Sequence, residues 1–255
     1  MKTKPFLTSL TALALAACNS DKPTGTSTSA GSGEPLVTQP VERPANGDWS
    51  TVVTPTTAGG FLMGDPKAKV QLIEFGSMTC PACGQFDETG VQPLIDKYVK
   101  TGQVGFEFRN YVRDPFDLAA ALVARCNGAQ GFFPLTRALY KDQANWLQRL
   151  SNISPEQQQA LQNLPPQQQF LEVAKLAGFQ QWAAMRGVPT AKSTSCLSNE
   201  QEVNRLVQMT SDAGSQFDVP GTPSFVINGK LVDPPERGKS NWESLEAKLR
   251  AALGS

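Results

Sequence analysis

Val70-Gln71-Leu72-Ile73-Glu74-Phe75-Gly76-Ser77-Met78-Thr79-Cys80-Pro81-Ala82-Cys83 is the stretch on which the fold turns. Val70 to Phe75 form a short, mostly apolar run ended by Gly76, which reads as a buried strand. Pro81 suits the first turn of a helix, where its missing N–H costs nothing. Phe86, Val91, Leu94, Ile95 and Tyr98 then recur at helical spacing to about Lys100, and Pro93 is expected to kink that helix. Val104 to Val112 alternates well enough for a second strand. Strand, helix, strand implies a parallel pair with a right-handed crossover.

Beyond this unit, from about Asp114 to Ala213, the pattern is helical throughout, with Leu118, Ala121, Leu122 and Arg125 on one face. Ser154-Pro155-Glu156-Gln157 and Ser198-Asn199-Glu200-Gln201 both read as capping boxes. Strands return at Ser224-Phe225-Val226-Ile227, where Asn228-Gly229 signals a tight hairpin back through Lys230-Leu231-Val232. Trp242, Leu245, Leu249 and Ala252 mark a closing helix. A β-α-β unit and a β-β-α unit are therefore separated by a long helical stretch, at about 114–215.

In the other direction the chain begins as an address. Lys2 and Lys4 precede the apolar run Phe6 to Leu15, too short for a permanent bilayer span, and Leu15-Ala16-Ala17-Cys18 resembles the bacterial lipobox. Residues 1–17 are read as a lipoprotein signal peptide and Cys18 as the lipidated residue; the alternative is an ordinary export signal beside an unmodified Cys18. Either reading exports the protein to the periplasm or cell envelope, where disulfides persist. Residues 18–59, rich in Ser, Thr, Gly and Pro, have few apolar side chains to offset the entropy of ordering and are expected to be a flexible tether. The body is expected to run from 60 to 255.

Composition excludes more than it suggests. The 255 residues carry 23 basic and 23 acidic side chains, so there is no electrostatic footprint for nucleic acid. The complete absence of histidine removes Ser-His-Asp and Cys-His catalysis and every His-ligated metal site. Five cysteines are too few to build the fold from disulfides. No cofactor and no metal are expected.

Cys80 and Cys83 carry the chemistry. At a strand-to-helix junction two thiols one turn apart can close a disulfide, while unpaired helix N–H groups stabilise a thiolate on the first. Cys80 is the expected nucleophile and Cys83 the resolving thiol. The alternatives are a structural disulfide or half of a zinc site, but Cys126 and Cys196 show no paired spacing to complete one.

These features, with Val219-Pro220-Gly221-Thr222-Pro223-Ser224-Phe225, resemble the DsbA family of thiol-disulfide oxidoreductases over roughly residues 60 to 253. The resemblance implies an α/β thioredoxin fold with an inserted helical domain. It also implies a cis bond before Pro223, which keeps the neighbouring backbone open to an extended substrate; an ordinary trans turn proline is the alternative. Glu74 matches the family's buried acid, suited to proton transfer with the resolving thiol; otherwise it is a solvated residue facing the sheet edge. Cys126 and Cys196 are expected to form a structural disulfide, as in some relatives, or else to be two separate buried thiols.

The dipeptide Pro81-Ala82 lacks the histidine that stabilises the thiolate in strongly oxidising members, and Thr222 is shared with reductases and isomerases of the wider superfamily. The leading expectation is a monomeric enzyme, anchored to the membrane by its lipid. It would introduce disulfides into exported proteins and be served by a membrane redox partner. A tethered reductase or isomerase is the first alternative. A non-catalytic peptide-binding envelope lipoprotein is the second, although a binding module has no need of two exchangeable thiols.

Overall fold

The computed structural model describes residues 37–254. The expected signal peptide, Cys18 and the first half of the tether lie outside the described residues.

Six strands form one sheet: β1 (Val53–Pro55), β2 (Phe61–Met63), β3 (Val70–Gly76), β4 (Val104–Asn110), β5 (Ser224–Ile227) and β6 (Lys230–Leu231), in the order β1-β2-β4-β3-β5-β6. β3 and β4 are parallel, with Leu72 opposite Phe106 and Glu74 opposite Phe108; the other pairings are antiparallel. Every residue of β3 and β4 is buried, because helices and loops cover both faces of the sheet centre. Val70 and Leu72 belong to the large core beneath the first helix and the closing helix. Ile73 and Phe75 point the other way, into a smaller cluster with Val226, Val219 and Ala213.

The first helix starts at Pro81–Phe86 and continues through π turns at Asp87–Val91 and Ile95–Val99, on either side of Gln92–Leu94. Pro93 has no N–H to return to the carbonyl four residues back, and the widened turns take up that mismatch. The helical insert follows β4 as Pro115–Arg125, Gly128–Lys141, Gln143–Ser151, Pro155–Gln162, Pro166–Ala177, Phe179–Ala184, Thr190–Leu197 and Glu200–Phe217. Asp117 to Arg125 are buried without a break, so the helix Pro115–Arg125 is the axle of the insert, its Ala119-Ala120-Ala121 letting neighbours approach closely. Ser154 makes the expected capping box. Ser198 does not: its N–H is taken by Thr194 as the previous helix ends, and Asn199 caps the helix Glu200–Phe217 instead. Ser240 caps the closing helix Asn241–Leu253, which buries Trp242, Leu245 and Leu249.

The tether expectation needs correction. Part of its span is built into the body before residue 60: Trp49–Thr51 forms a 3₁₀ turn and Val53–Pro55 is a sheet strand. Trp49 is 8% exposed, its N–H bonds the Lys100 carbonyl, and its ring lies where a Cβ on Gly102 would sit, 2.7 Å away. A local composition window misses this because the few apolar residues there are held by partners remote in the chain.

Candidate active site

β3 delivers the chain to a tight turn, Ser77-Met78-Thr79, after which Cys80 is the N-cap of the helix that Pro81 opens. Gly76 is needed at the end of β3, since a Cβ there would lie 2.4 Å from the Phe108 ring. Cys80 and Cys83 are free thiols. Cys83 is fully enclosed, and Cys80 keeps 6% of its surface exposed, with its Sγ 3.2 Å from the Thr222 carbonyl oxygen, to which the thiol donates. The Thr222–Pro223 peptide bond is cis, and the loop around it is closed by Ser224 Oγ donating to the Gly221 carbonyl at 2.7 Å.

The two thiols are driven apart electrostatically. Hydrogen bonding from the Cys83 side chain, supported by Thr222 and by the backbone N–H groups of Cys83 and Ala82, lowers Cys80 to about 5 against the opposing effect of burial. Burial raises Cys83 well above its ordinary value, reinforced by the bond it gives to Cys80 and by Glu74.

Glu74 lies in the middle of β3, between Phe108 of β4 and Phe225 of β5, and is 2% exposed; it does not face a sheet edge. Burial holds its carboxyl well above the usual range, with Asp87 and Cys80 adding to the shift. Asp87 is itself raised to about 6 by burial, although the Arg137 guanidinium 3.6 Å away works in the opposite direction. Asp87 and Arg137 line a groove of about 980 Å³ between the first helix and Gly128–Lys141, which opens beside Pro81 and Ala82.

Cys126 and Cys196 are joined in a disulfide that ties the end of the helix Pro115–Arg125 to the helix Thr190–Leu197, away from the CxxC. Among the described residues no group of His, Cys, Asp and Glu is placed to hold a metal ion.

Several residues around the CxxC have no signature in the sequence. Asp87 and Arg137 are two, and Arg113, Asp117, Tyr140 and Gln143, which reach the Ser77–Cys80 turn from the start of the insert and its next helices, are four more. Only the helical character of the chain from about Asp114 was readable there; its reach back across the fold was not.

A thiol pair split in acidity at a helix start, facing a proline loop from the far half of the sheet, defines a thioredoxin-fold dithiol centre. A family model described as thioredoxin matches residues 56–249, and the chain belongs to that family as a DsbA-like member. The protein-disulfide isomerase of Novosphingobium aromaticivorans superposes with a TM-score of 0.70 at 36% identity, over 76% of this chain and 97% of that one. Wolbachia pipientis alpha-DsbA1, at 22% identity and a TM-score of 0.57 over 76% and 90%, shares the fold, including the helical insert. The thiol:disulfide interchange protein DsbA of Bordetella parapertussis is 27% identical over 171 residues, 67% of this chain and 69% of that protein. A Rickettsia felis relative is 25% identical over 170 residues, and the chain spans about half its length, 53%.

Proposed function

We propose that the protein is a thiol:disulfide oxidoreductase of the cell envelope that introduces disulfides into exported proteins. The observation that carries this is the divergence of the two thiols: a thiolate favoured at Cys80, a protonated thiol at Cys83. In the oxidised form a substrate thiolate attacks Cys80 Sγ, the Cys80–Cys83 bond breaks, and the electron pair leaves on Cys83, which takes up a proton. Glu74, buried beside it, supplies that proton. A second substrate thiolate then attacks the substrate sulfur of the mixed disulfide, forming the substrate's disulfide and expelling Cys80 as thiolate. A thiol of low pKa makes a good leaving group, so the second step is the one the Cys80 environment assists. Thr222 and Pro223 present the backbone against which an extended substrate is held.

The lipobox reading of Cys18 supports a membrane anchor, with a membrane redox partner regenerating the disulfide. Among the described residues no helix is long and apolar enough to cross a membrane.

A second reading, isomerase or reductase, is favoured by the name of the Novosphingobium relative and by the missing histidine after Pro81. A Cys80 value of about 5 falls between the roughly 3.5 of strong oxidants and the roughly 7 of thioredoxin. Equilibration of the pair with glutathione decides between them. A potential of about −120 to −180 mV supports disulfide exchange in the oxidising or isomerising direction; about −250 mV or lower overturns the oxidase proposal in favour of a tethered reductase. Cys80→Ser tests catalysis itself: turnover is lost in a catalyst, and peptide binding without turnover in the wild type would make this a binding module.

A further inference from the structure

The turn that presents Cys80 is not held by the sheet alone. Asp117, in the first turn of the insert helix Pro115–Arg125 and 1% exposed, accepts from the Met78 N–H at 2.8 Å, from Ser77 Oγ at 2.6 Å and from the Arg113 N–H at 3.1 Å. Arg113 donates in turn to Ser77 Oγ at 2.9 Å and Thr79 Oγ1 at 2.7 Å. Tyr140 donates its hydroxyl to the Ser77 carbonyl at 3.1 Å, and the buried Gln143 amide donates to the carbonyls of both Met78 and Cys80, at 2.7 and 3.0 Å. Gly84 leaves room for that amide: a Cβ there would lie 2.8 Å from Gln143 Oε1.

Each of these bonds is buried or half-buried, and all but the Arg113 N–H to Asp117 bond run from the insert, or the segment entering it, to the four residues before the helix. Their joint effect is to fix the backbone of Cys80 at φ −86°, ψ 117°. That conformation aims its sulfur at the backbone N–H groups of Ala82 and Cys83 and at the side chain of Thr222. A thiolate is stabilised by such donors only while it is aimed at them, because hydrogen bonding weakens steeply with misalignment.

We propose that Asp117, Tyr140 and Gln143, together with Arg113, are positioning residues through which the helical insert sets the thiolate stability and the reduction potential of the Cys80–Cys83 pair. This rests on the oxidoreductase reading above and adds to it the source of the tuning: the insert, not the CxxC dipeptide alone.

The test uses the full chain and the variants Asp117→Asn, Gln143→Leu and Tyr140→Phe. For each, the acidity of Cys80 is read from the pH profile of thiolate absorbance, the potential from glutathione equilibration, and the melting temperature alongside. Loss of the positioning bonds should raise the Cys80 pKa and lower the equilibrium constant for reduction of the protein disulfide by glutathione. The expected fall is about threefold to tenfold in Asp117→Asn and Gln143→Leu, where tenfold is about 30 mV. Tyr140→Phe, which removes one hydroxyl and stays folded if the larger changes do not, should shift both readings less and in the same direction.

Melting temperatures that fall while the Cys80 pKa stays within about 0.2 of wild type and the equilibrium constant within about 1.5-fold would overturn the proposal, leaving these residues a merely structural role. So would a lowered Cys80 pKa in Asp117→Asn with no change in Gln143→Leu, since that is the signature of removing a negative charge. A wild type whose CxxC does not exchange with glutathione at all would instead overturn the oxidoreductase reading, and this proposal with it.

Discussion

Cys80 and Cys83 have the same side chain, are three residues apart, and are pushed to opposite protonation states by their surroundings. That difference makes a prediction about pH. Cys80 is lowered in the folded protein, so the reduced protein gains stability that is fully present above the ordinary thiol value of about 8.5. The gain is lost as pH falls towards about 5. Chemical denaturation of the reduced form from pH 5 to 8.5 should show the stability advantage of wild type over Cys80→Ser rising with pH, a difference from which the buried carboxyl groups cancel, and the alkylation rate of Cys80 should follow a profile with a midpoint near 5. Glu74 has the reverse sign. Its folded value is raised, so the stability it contributes is present below the ordinary carboxylate range and declines as pH rises above it. Glu74→Gln should therefore be more stable than wild type at pH 8, by about 1 to 3 kcal/mol, and close to it at pH 4. The same variant should slow the step that protonates or deprotonates Cys83, by roughly tenfold to a hundredfold in stopped-flow exchange with a peptide thiol. Stability gained without any loss of rate would leave Glu74 with no part in proton transfer.

Among the elements, the segment before residue 60 and the strand-to-helix turn carry the most consequence. Trp49 and β1 complete the sheet edge beside β2, so removing residues 37–59 should expose β2 and cost stability. Trp49→Ala alone should cost about 3 kcal/mol in denaturant unfolding, since it empties a site against Gly102 that nothing else fills. A truncation at 60 as stable as the longer chain would return this segment to the tether. The strands β3, β4 and β5, the first helix, the hairpin and the closing helix were legible because their periodicity, their caps and Asn228-Gly229 are local signals. β1 and β2, three residues each, are too short to show a period, and the π turns around Pro93 follow from accommodation inside a packed core.

Across the whole molecule, the insert is tied both within itself and to the sheet. The Cys126–Cys196 disulfide closes a loop of 70 residues within it. In the chain-entropy account such a loop contributes about 4 kcal/mol, so the Cys126→Ala, Cys196→Ala double variant should lose stability of that order in thermal unfolding. The CxxC potential should move little, because the bond lies away from the active site. Arg125 adds a second tie, pairing with Glu202 and donating to Asn110 and to the Gly59 carbonyl, so that the insert, β4 and the N-terminal segment meet at one buried guanidinium.

Thr222-Pro223 was pointed to by the family resemblance and not by any local pattern; the amino-acid order by itself determined the sheet's central strands, the placement of Cys80 at a helix start and the division of the fold by a helical insert. These are written in short-range patterns whose physics acts over a few residues. Only the tertiary structure decided that Glu74 is enclosed between β4 and β5, that Asp87 acts on it while pairing with Arg137, and that Asp117, Tyr140 and Gln143 grip the turn before Cys80. Those are contacts between residues far apart in the chain, 65 positions for Gln143 and Met78 and more for Glu74 and Phe225. A chain brings such residues together only when its whole core closes, and no local pattern records which polar side chains will then find themselves buried against which backbone.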